Sequence, residues 1–197
     1  MTQFVGLTGG IGAGKSEVLA AFERLGAATL STDRVTHELL DDEQVRAALI
    51  ERWGDDIAAG GHVDRDRVSS IVFEAPDELA WLESVMHPRV GAHVLEWRQS
   101  LDPDVPVAVV EVPLLFEAAM EDAFDATVAV VADDEIRERR LRERGQAGLE
   151  GREERQLDQA EKERRAEHVI RNEGSLEELE SMVRELIEQL TPEQASR

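Results

Sequence analysis

Eight consecutive residues near the N-terminus have the composition and spacing of a phosphate-binding loop. Residues 9–16 read G-G-I-G-A-G-K-S and match the pattern G-x-x-x-x-G-K-[ST] in full. Glycines let successive backbone N–H groups point at a phosphate, and a helix that follows adds its positive N-terminal end. Lys15 is predicted to act as a catalytic cation between the β- and γ-phosphates, and the Ser16 hydroxyl to ligate Mg²⁺. We therefore predict ATP binding by Gly10, Ile11, Gly12, Ala13, Gly14, Lys15 and Ser16.

A dinucleotide-binding turn is the main competing interpretation of these glycines. It requires the spacing G-x-G-x-x-G. Here Gly10, Gly12 and Gly14 follow one another at steps of two, and a Lys-Ser pair comes directly after them. The spacing therefore favours a triphosphate site over a dinucleotide site.

Two carboxylates follow or end apolar stretches and could take part in phosphoryl transfer. Asp33 comes just after residues 27–30, and Glu111 lies near the end of residues 107–112. Because ligands of open α/β sheets bind beyond the carboxyl ends of the strands, both should face the loop. We predict that Asp33 orients and deprotonates the acceptor hydroxyl, and that Glu111 reaches Mg²⁺ through water. Two alternatives stay open: Asp33 as the cap of a helix that begins near Arg34, and Glu111 as a satisfied strand-end carboxylate.

A cluster of arginines supplies positive charge in an otherwise acidic chain. Residues 137–144 hold five arginines and two glutamates, in a protein whose net charge is −21. Three of these arginines fall at i, i+3 and i+7, on one face of a helix, from which a lid could lower guanidinium groups onto the phosphates. They are Arg137, Arg140 and Arg144. For Arg139 and Arg142 we predict a solvated helix face instead.

The elements that must position these groups alternate between strands and helices. Short apolar runs predict strands at 5–8, 27–30, 107–112, 127–131 and 168–170. The runs at 107–112 and 127–131 are continuous, as in strands that parallel sheets bury on both faces. Between the second and third runs the pattern is helical, with expected breaks at several glycines and at His87–Pro88. A capping box at Ser175 and Glu178 opens a C-terminal amphipathic helix. We predict one kinase domain over 1–197, with a core at about 1–34, 106–134 and 166–197, a helical acceptor-binding insertion at about 35–105, and a lid at about 135–165.

Composition limits the partners and the compartment. The 43 acidic residues against 22 basic ones disfavour binding to nucleic acid and to anionic membranes. The chain has no cysteine, which excludes disulfides and thiolate metal sites, and neither an export signal nor an apolar run long enough to span a bilayer is visible. We expect a cytoplasmic protein that acts on small molecules, as a monomer or weak homo-oligomer.

Short stretches along the whole chain together match one known family. They are residues 6–16, Trp53-Gly54, residues 63–65, Val72-Phe73, Leu82-Glu83, His87-Pro88, residues 112–117, Arg140-Leu141 with Arg144, Gln159, Val169-Ile170 and Asn172 with Gly174. On these stretches, the chain resembles the bacterial dephospho-coenzyme A kinases from end to end. The resemblance implies an α/β P-loop NTPase fold in three layers, with a five-stranded parallel sheet, a helical coenzyme-A-binding region and a lid. It implies that ATP phosphorylates the ribose 3′-hydroxyl of dephospho-coenzyme A, the last step of coenzyme A synthesis.

The same resemblance assigns roles by matching position. Asp33 is similar to the catalytic base of the family, and Arg140 to its lid arginine. Asn172 and Gly174 are expected near the adenine of ATP. The acceptor side is expected to include Thr8, His87, Pro113 and Leu114.

Three positions depart from the family pattern and leave alternatives open. Ser31 replaces the first of a pair of aspartates, Glu111 replaces an aspartate, and Arg137 replaces a lid glutamine. A kinase for another nucleotide-like metabolite would share the fold, because the acceptor pocket alone decides the substrate. A regulatory P-loop NTPase is a further alternative, although no Asn-Lys-x-Asp stretch is present. A binding module that has lost catalysis is suggested only by Ser31.

Overall fold

The computed structural model describes residues 2–143 and 156–191. The chain divides into two compact units. The first, which we call the sheet unit, comprises Met1–Ser31 and Leu101–Arg197, and the second, the helical unit, comprises Thr32–Ser100. Within the described ranges, no helix combines the length and the apolar character that crossing a bilayer requires.

The sheet unit contains a five-stranded parallel sheet. Its order is β2-β3-β1-β4-β5, and every neighbouring pair is parallel. Each residue of β3 and β4 is buried, which is why these strands are continuous apolar runs rather than alternating ones. The predicted α/β fold with five parallel strands is therefore confirmed. The strands are β1 Gln3–Gly9, β2 Ala28–Ser31, β3 Val107–Glu111, β4 Ala126–Val131 and β5 His168–Arg171.

Four described α-helices and a 3₁₀ turn, Glu121–Ala123, belong to this unit. The α-helices are α1 Lys15–Arg24, α6 Asp134–Glu143, α7 Gln159–Arg165 and α8 Leu176–Leu190. The apolar faces of α1 and α8 join the buried side of the sheet in one core cluster. The predicted capping box of α8 is present: the Ser175 hydroxyl accepts from the Glu178 backbone, and the Glu178 carboxylate accepts from the Ser175 backbone. Leu176, the first residue of α8, is half exposed.

The helical unit has a core of its own. Its helices are α2 Thr32–Leu39, α3 Glu43–Trp53, a 3₁₀ turn Asp55–Ala58, α4 Arg65–Glu74 and α5 Pro76–Ser100. The side chains of Asp42 and Asp64 cap α3 and α4 by accepting backbone N–H groups. The buried residues that hold the unit together are Leu40, Val45, Leu49, Ile57, Val63, Val68 and Met86.

The expected break at His87–Pro88 is wrong. Pro88 lies inside α5, which continues to Ser100. Proline has no N–H to donate, so the helix forgoes the bond that residue 88 would make to the carbonyl of Ser84. The helix nevertheless continues because α2 and α4 pack along it and Met86 is buried in the unit's core. Tertiary packing here outweighs a local helix breaker.

Candidate active site

The glycine loop connects the central strand β1 to the first helix. β1 ends at Gly9, α1 begins at Lys15, and Gly14 is the N-cap with φ 93° and ψ 31°. This left-handed conformation favours glycine, and a Cβ on Gly14 would also collide with the side-chain amide nitrogen of Asn172. Because a glycine cap has no side chain, the first N–H groups of α1 are available to bind an anion. The local geometry is that of a phosphate site.

Lys15 and Ser16 lie on the first turn of α1, as the motif predicts. The Lys15 ammonium donates to the carbonyl oxygens of Gly9 at 3.0 Å and Gly10 at 3.2 Å. Its charge is therefore held over the start of the loop. Ser16 is exposed, so its hydroxyl is accessible to a ligand.

Two arginines of α6 bind the loop by its backbone. Arg137 Nε donates to the Ile11 carbonyl at 2.9 Å, and Arg140 Nη1 donates to the Ala13 carbonyl at 3.0 Å. Their i, i+3 spacing brings both side chains to the loop, where they donate to carbonyl oxygens. The predicted contact of these guanidinium groups with the phosphates of ATP remains a prediction. Arg137 also pairs with Asp134 at 2.8 Å. Arg144, the third predicted member of this face, lies outside the described residues.

Arg139 and Arg142, the two arginines assigned to solvent, are both exposed, and Arg142 lies near a glutamate of its own helix. Its guanidinium is 3.7 Å from the Glu138 carboxylate, and both side chains are about two-thirds exposed (67% and 69%). An exposed pair of this kind contributes little to stability.

Asn172 connects the sheet, the loop and α6. Its backbone N–H donates to Val131 at 2.8 Å, its side-chain Nδ2 donates to Ala13 at 3.0 Å, and its carbonyl accepts from Arg140 at 3.0 Å. The side chain is buried. The side chain of Asn172 thus binds the phosphate loop, and its expected place near the adenine of ATP remains a prediction. Gly174 precedes the capping box of α8, where a Cβ would collide with the Glu178 carboxylate.

The carboxyl ends of the strands carry the remaining predicted residues of the sheet unit. Glu111 is the last residue of β3, is buried, and lies in register with Leu7 of β1 and Ser31 of β2. The buried Thr8 hydroxyl donates to the Pro113 carbonyl at 3.1 Å. Leu114, next to Pro113, is half-buried. The sheet thus places Glu111 and the Pro113–Leu114 pair beside the strand that leads into the loop.

Asp33 and His87 belong to the helical unit, and both are exposed. Asp33 lies in the first turn of α2, two residues beyond the end of β2. The alternative that Asp33 caps a helix beginning near Arg34 is wrong, because α2 already begins at Thr32. The assignments of Asp33 as base and His87 to the acceptor side remain predictions.

Sequence reasoning missed Lys162, which lies on α7 and is fully buried. Its ammonium donates to the Pro113 carbonyl at 2.7 Å and lies 3.0 Å from the Glu117 carboxylate. Burial lowers the pKa of Lys162, and the hydrogen bond and charge of Glu117 oppose that shift. One signal in the sequence could have marked this residue: the chain has two lysines, and the other is in the phosphate loop.

The fold and the loop together define a class of protein. A parallel sheet whose central strand runs into a glycine loop and a helix N-terminus, with basic side chains holding that loop, is the architecture of a P-loop phosphotransferase. A shikimate kinase from Acinetobacter baumannii shares this fold, with a TM-score of 0.52 at 14% sequence identity over 96% of this chain and 93% of that one.

Comparison with known proteins defines the family. A model of the dephospho-CoA kinase family matches residues 3–178. The chain is 40% identical to a dephospho-CoA kinase of Streptomyces avermitilis over 185 residues, covering 91% of this chain and 89% of the relative. A crystal structure of a Thermus thermophilus protein superposes with a TM-score of 0.82 at 34% identity, covering 96% and 98% of the two chains. This chain therefore belongs to the dephospho-CoA kinase family and is an ATP-dependent phosphotransferase, which confirms the resemblance.

Proposed function

We propose that this chain transfers the γ-phosphoryl group of ATP to the ribose 3′-hydroxyl of dephospho-CoA, which yields CoA and ADP. The observation that carries the proposal is a glycine loop fixed at the N-terminus of α1 in a member of this family. Phosphoryl transfer requires mainly positioning of the reactants and stabilisation of charge. A row of backbone N–H groups and a lysine supply both for a triphosphate.

The contacts around the loop support its role as a preorganised site. The C=O and N–H groups that flank a trans peptide bond point in opposite directions. By binding the carbonyls of Ile11 and Ala13, Arg137 and Arg140 therefore direct the N–H groups of Gly12 and Gly14 away from α6. Such donors need no reorganisation when charge develops on the phosphates. We propose that both arginines serve ATP in this way and add positive potential beside it.

The residues proposed for the acceptor comprise a general base and four residues that bind the acceptor. In the proposed step the Asp33 carboxylate takes the proton of the 3′-hydroxyl, the 3′-oxygen bonds to the γ-phosphorus, and the bond to the bridging oxygen of ADP breaks. Thr8, His87, Pro113 and Leu114 complete the proposed acceptor side.

The residues proposed for magnesium have suitable chemistry. The Ser16 hydroxyl and the Glu111 carboxylate are hard oxygen donors, which Mg²⁺ prefers, together with phosphate oxygens and water. Glu111 is buried at the end of β3, where a carboxylate favours a nearby cation. When bound, the ion would neutralise charge on the β- and γ-phosphates.

The test is ADP release by the purified protein from ATP and Mg²⁺, with and without dephospho-CoA, while mass spectrometry follows the product. We expect ADP and CoA to form in equal amounts and only with the acceptor. CoA itself is the matched control, because its 3′-position is already phosphorylated and it should release no ADP. ADP release that does not depend on dephospho-CoA would instead favour an NTPase, and silence in every arm would contradict the proposal.

A further inference from the structure

Lysine is almost absent from this chain, which makes the position of each one informative. Of the 22 basic residues, two are lysines, Lys15 and Lys162. Lys15 belongs to the phosphate loop, where a compact ammonium bridges phosphates. Lys162 has no exposed surface, so its charge does not contribute to solubility.

The space around Lys162 fits an ammonium. Its nitrogen lies 2.7 Å from the Pro113 carbonyl and 3.0 Å from Glu117 Oε1. A guanidinium is planar and carries five donors in a rigid fork, whereas an ammonium is a compact charge with three donors. A buried charge is tolerated only when it is paired and hydrogen-bonded, and these two oxygens meet that condition.

The Pro113 carbonyl is a shared acceptor. It receives the Thr8 hydroxyl at 3.1 Å and the Lys162 ammonium at 2.7 Å. Thr8 lies on β1 directly before the phosphate loop, and Pro113 follows the end of β3. These two bonds therefore set the position of the segment after β3 relative to the strand that leads into the loop.

The rest of α7 is anchored at both ends. Gln159, its first residue, both accepts from and donates to the backbone of Ala132, at 3.0 and 2.9 Å, just before α6. Arg165, its last residue, pairs with Glu121 and lies over the Phe116 ring at 4.8 Å. Lys162 therefore projects from a helix whose own position is defined, which is what precise placement of another group requires.

We propose that Lys162 is a positioning residue for the acceptor: it fixes the Pro113–Leu114 segment against Thr8. The inference rests on the proposed function, because that function assigns Pro113 and Leu114 to the acceptor side. Displacement of a substrate-positioning group by about 1 Å can lower the rate by about 100-fold, even from a site remote from the reacting atoms. The effect should fall on the acceptor rather than on ATP, because Lys15 and the loop contacts of Arg137 and Arg140 do not involve Lys162.

The test replaces Lys162 with methionine, which is similar in length but provides no donor to Pro113. We expect Lys162→Met to lower kcat/KM for dephospho-CoA by about 10- to 100-fold and to leave the KM for ATP within about threefold of the parent. Arg164→Met is the matched control, since it removes one positive charge from the same helix at a side chain that is 72% exposed. It should have the parent's kinetics. If kcat/KM fell equally for dephospho-CoA and for ATP, or did not fall at all, the proposal would be overturned.

A second variant separates positioning from neutralisation of Glu117. Lys162→Met alone leaves the Glu117 carboxylate buried without its cation, which can unfold a protein. The double variant Glu117→Gln/Lys162→Met removes both charges and keeps an oxygen to accept from the Leu157 backbone, which Glu117 Oε1 binds at 2.8 Å. We expect it to fold and to keep the acceptor defect. A return to the parent's kcat/KM would show that Lys162 only neutralises Glu117.

Amide hydrogen exchange tests the positioning independently of the reaction. Without any substrate, the double variant should exchange residues 112–117 at least about tenfold faster than the parent, with α1 unchanged. Unchanged exchange in 112–117 would overturn the role of Lys162 whatever the substrate is. If instead the parent makes no CoA from dephospho-CoA, the proposed function fails, while faster exchange would still support the structural link.

Discussion

Gly14→Ala is the most informative perturbation of the phosphate loop, because the structure separates its effect into two parts. The φ of 93° would place an alanine in the left-handed region, which disfavours a non-glycine residue by about 1–2 kcal/mol. The new Cβ would also displace the Asn172 amide, whose bond to Ala13 is 3.0 Å long. Loss of such a buried bond destabilises by about 0.5–1.5 kcal/mol. We therefore expect a loss of about 1.5–3.5 kcal/mol in the free energy of unfolding.

For a chain of this length, each kcal/mol lowers Tm by about 2–4 °C, so Gly14→Ala should lower it by about 3–14 °C. Far-ultraviolet circular dichroism is the appropriate probe. All three tryptophans lie in the helical unit, so tryptophan fluorescence would report on that unit rather than on the sheet that carries the loop. ATP affinity, measured by calorimetry, should fall as well, because the N-cap of α1 is distorted.

Gly26→Ala is the matched control for the backbone contribution. Gly26 has φ 90°, but a Cβ there would meet no atom within 4 Å. Its replacement should therefore destabilise by the conformational part alone, about 1–2 kcal/mol. The difference between the two glycines measures the collision with Asn172.

Measuring Gly14→Ala in an Asn172→Ala variant tests whether the two side chains collide. Without the amide, Gly14→Ala should destabilise by only about 1–2 kcal/mol, which leaves a coupling of about 1 kcal/mol between the two positions. Equal losses in both backgrounds would mean that Gly14 and Asn172 do not touch. A loss below about 0.5 kcal/mol in the parent would refute the left-handed cap itself.

Three further predictions concern the lysine of the phosphate loop, the proposed base and the stability of the helical unit. Lys15→Ala should weaken ATP binding or transfer in the ADP-release assay, and full activity would contradict the P-loop assignment. Asp33→Asn should keep ATP affinity but lower kcat by about 100-fold or more; unaltered turnover would exclude Asp33 as the base. Two hydrogen bonds hold the pKa of Glu78 below its usual 4.5: the larger effect comes from Arg52 and the smaller from Trp53. Glu78 thus stabilises the helical unit above pH 4.5, and that stability is lost as pH falls through the lower folded-state pKa. Glu78→Gln should weaken this acid dependence in tryptophan fluorescence; an unchanged acid midpoint would contradict it.

Much of the local organisation could be predicted because it depends on short-range spacing. Continuous apolar runs are typical of strands buried on both faces, and β3 and β4 are buried throughout. The loop pattern predicted its own position between β1 and α1, since the glycines and Lys15 are contiguous. The capping box of α8 was equally local. The predicted helix break at His87–Pro88 is wrong because α5 depends on long-range packing: Met86 is buried in the core of the helical unit, and the helix continues past Pro88.

By itself, the sequence determined that a phosphate loop follows a buried strand, that acidic residues stand at strand ends, and that α6 presents arginines at helical spacing. Only the tertiary structure decided which groups those side chains meet. Asn172 bonds to Ala13 across 159 residues, Arg137 to Ile11 across 126, and Lys162 to Pro113 across 49. No periodicity encodes such partners, because they depend on the strand order β2-β3-β1-β4-β5, which brings distant chain segments to one edge of the sheet. The loop's chemistry is therefore local, whereas the contacts that hold the loop in shape arise only when the sheet has assembled.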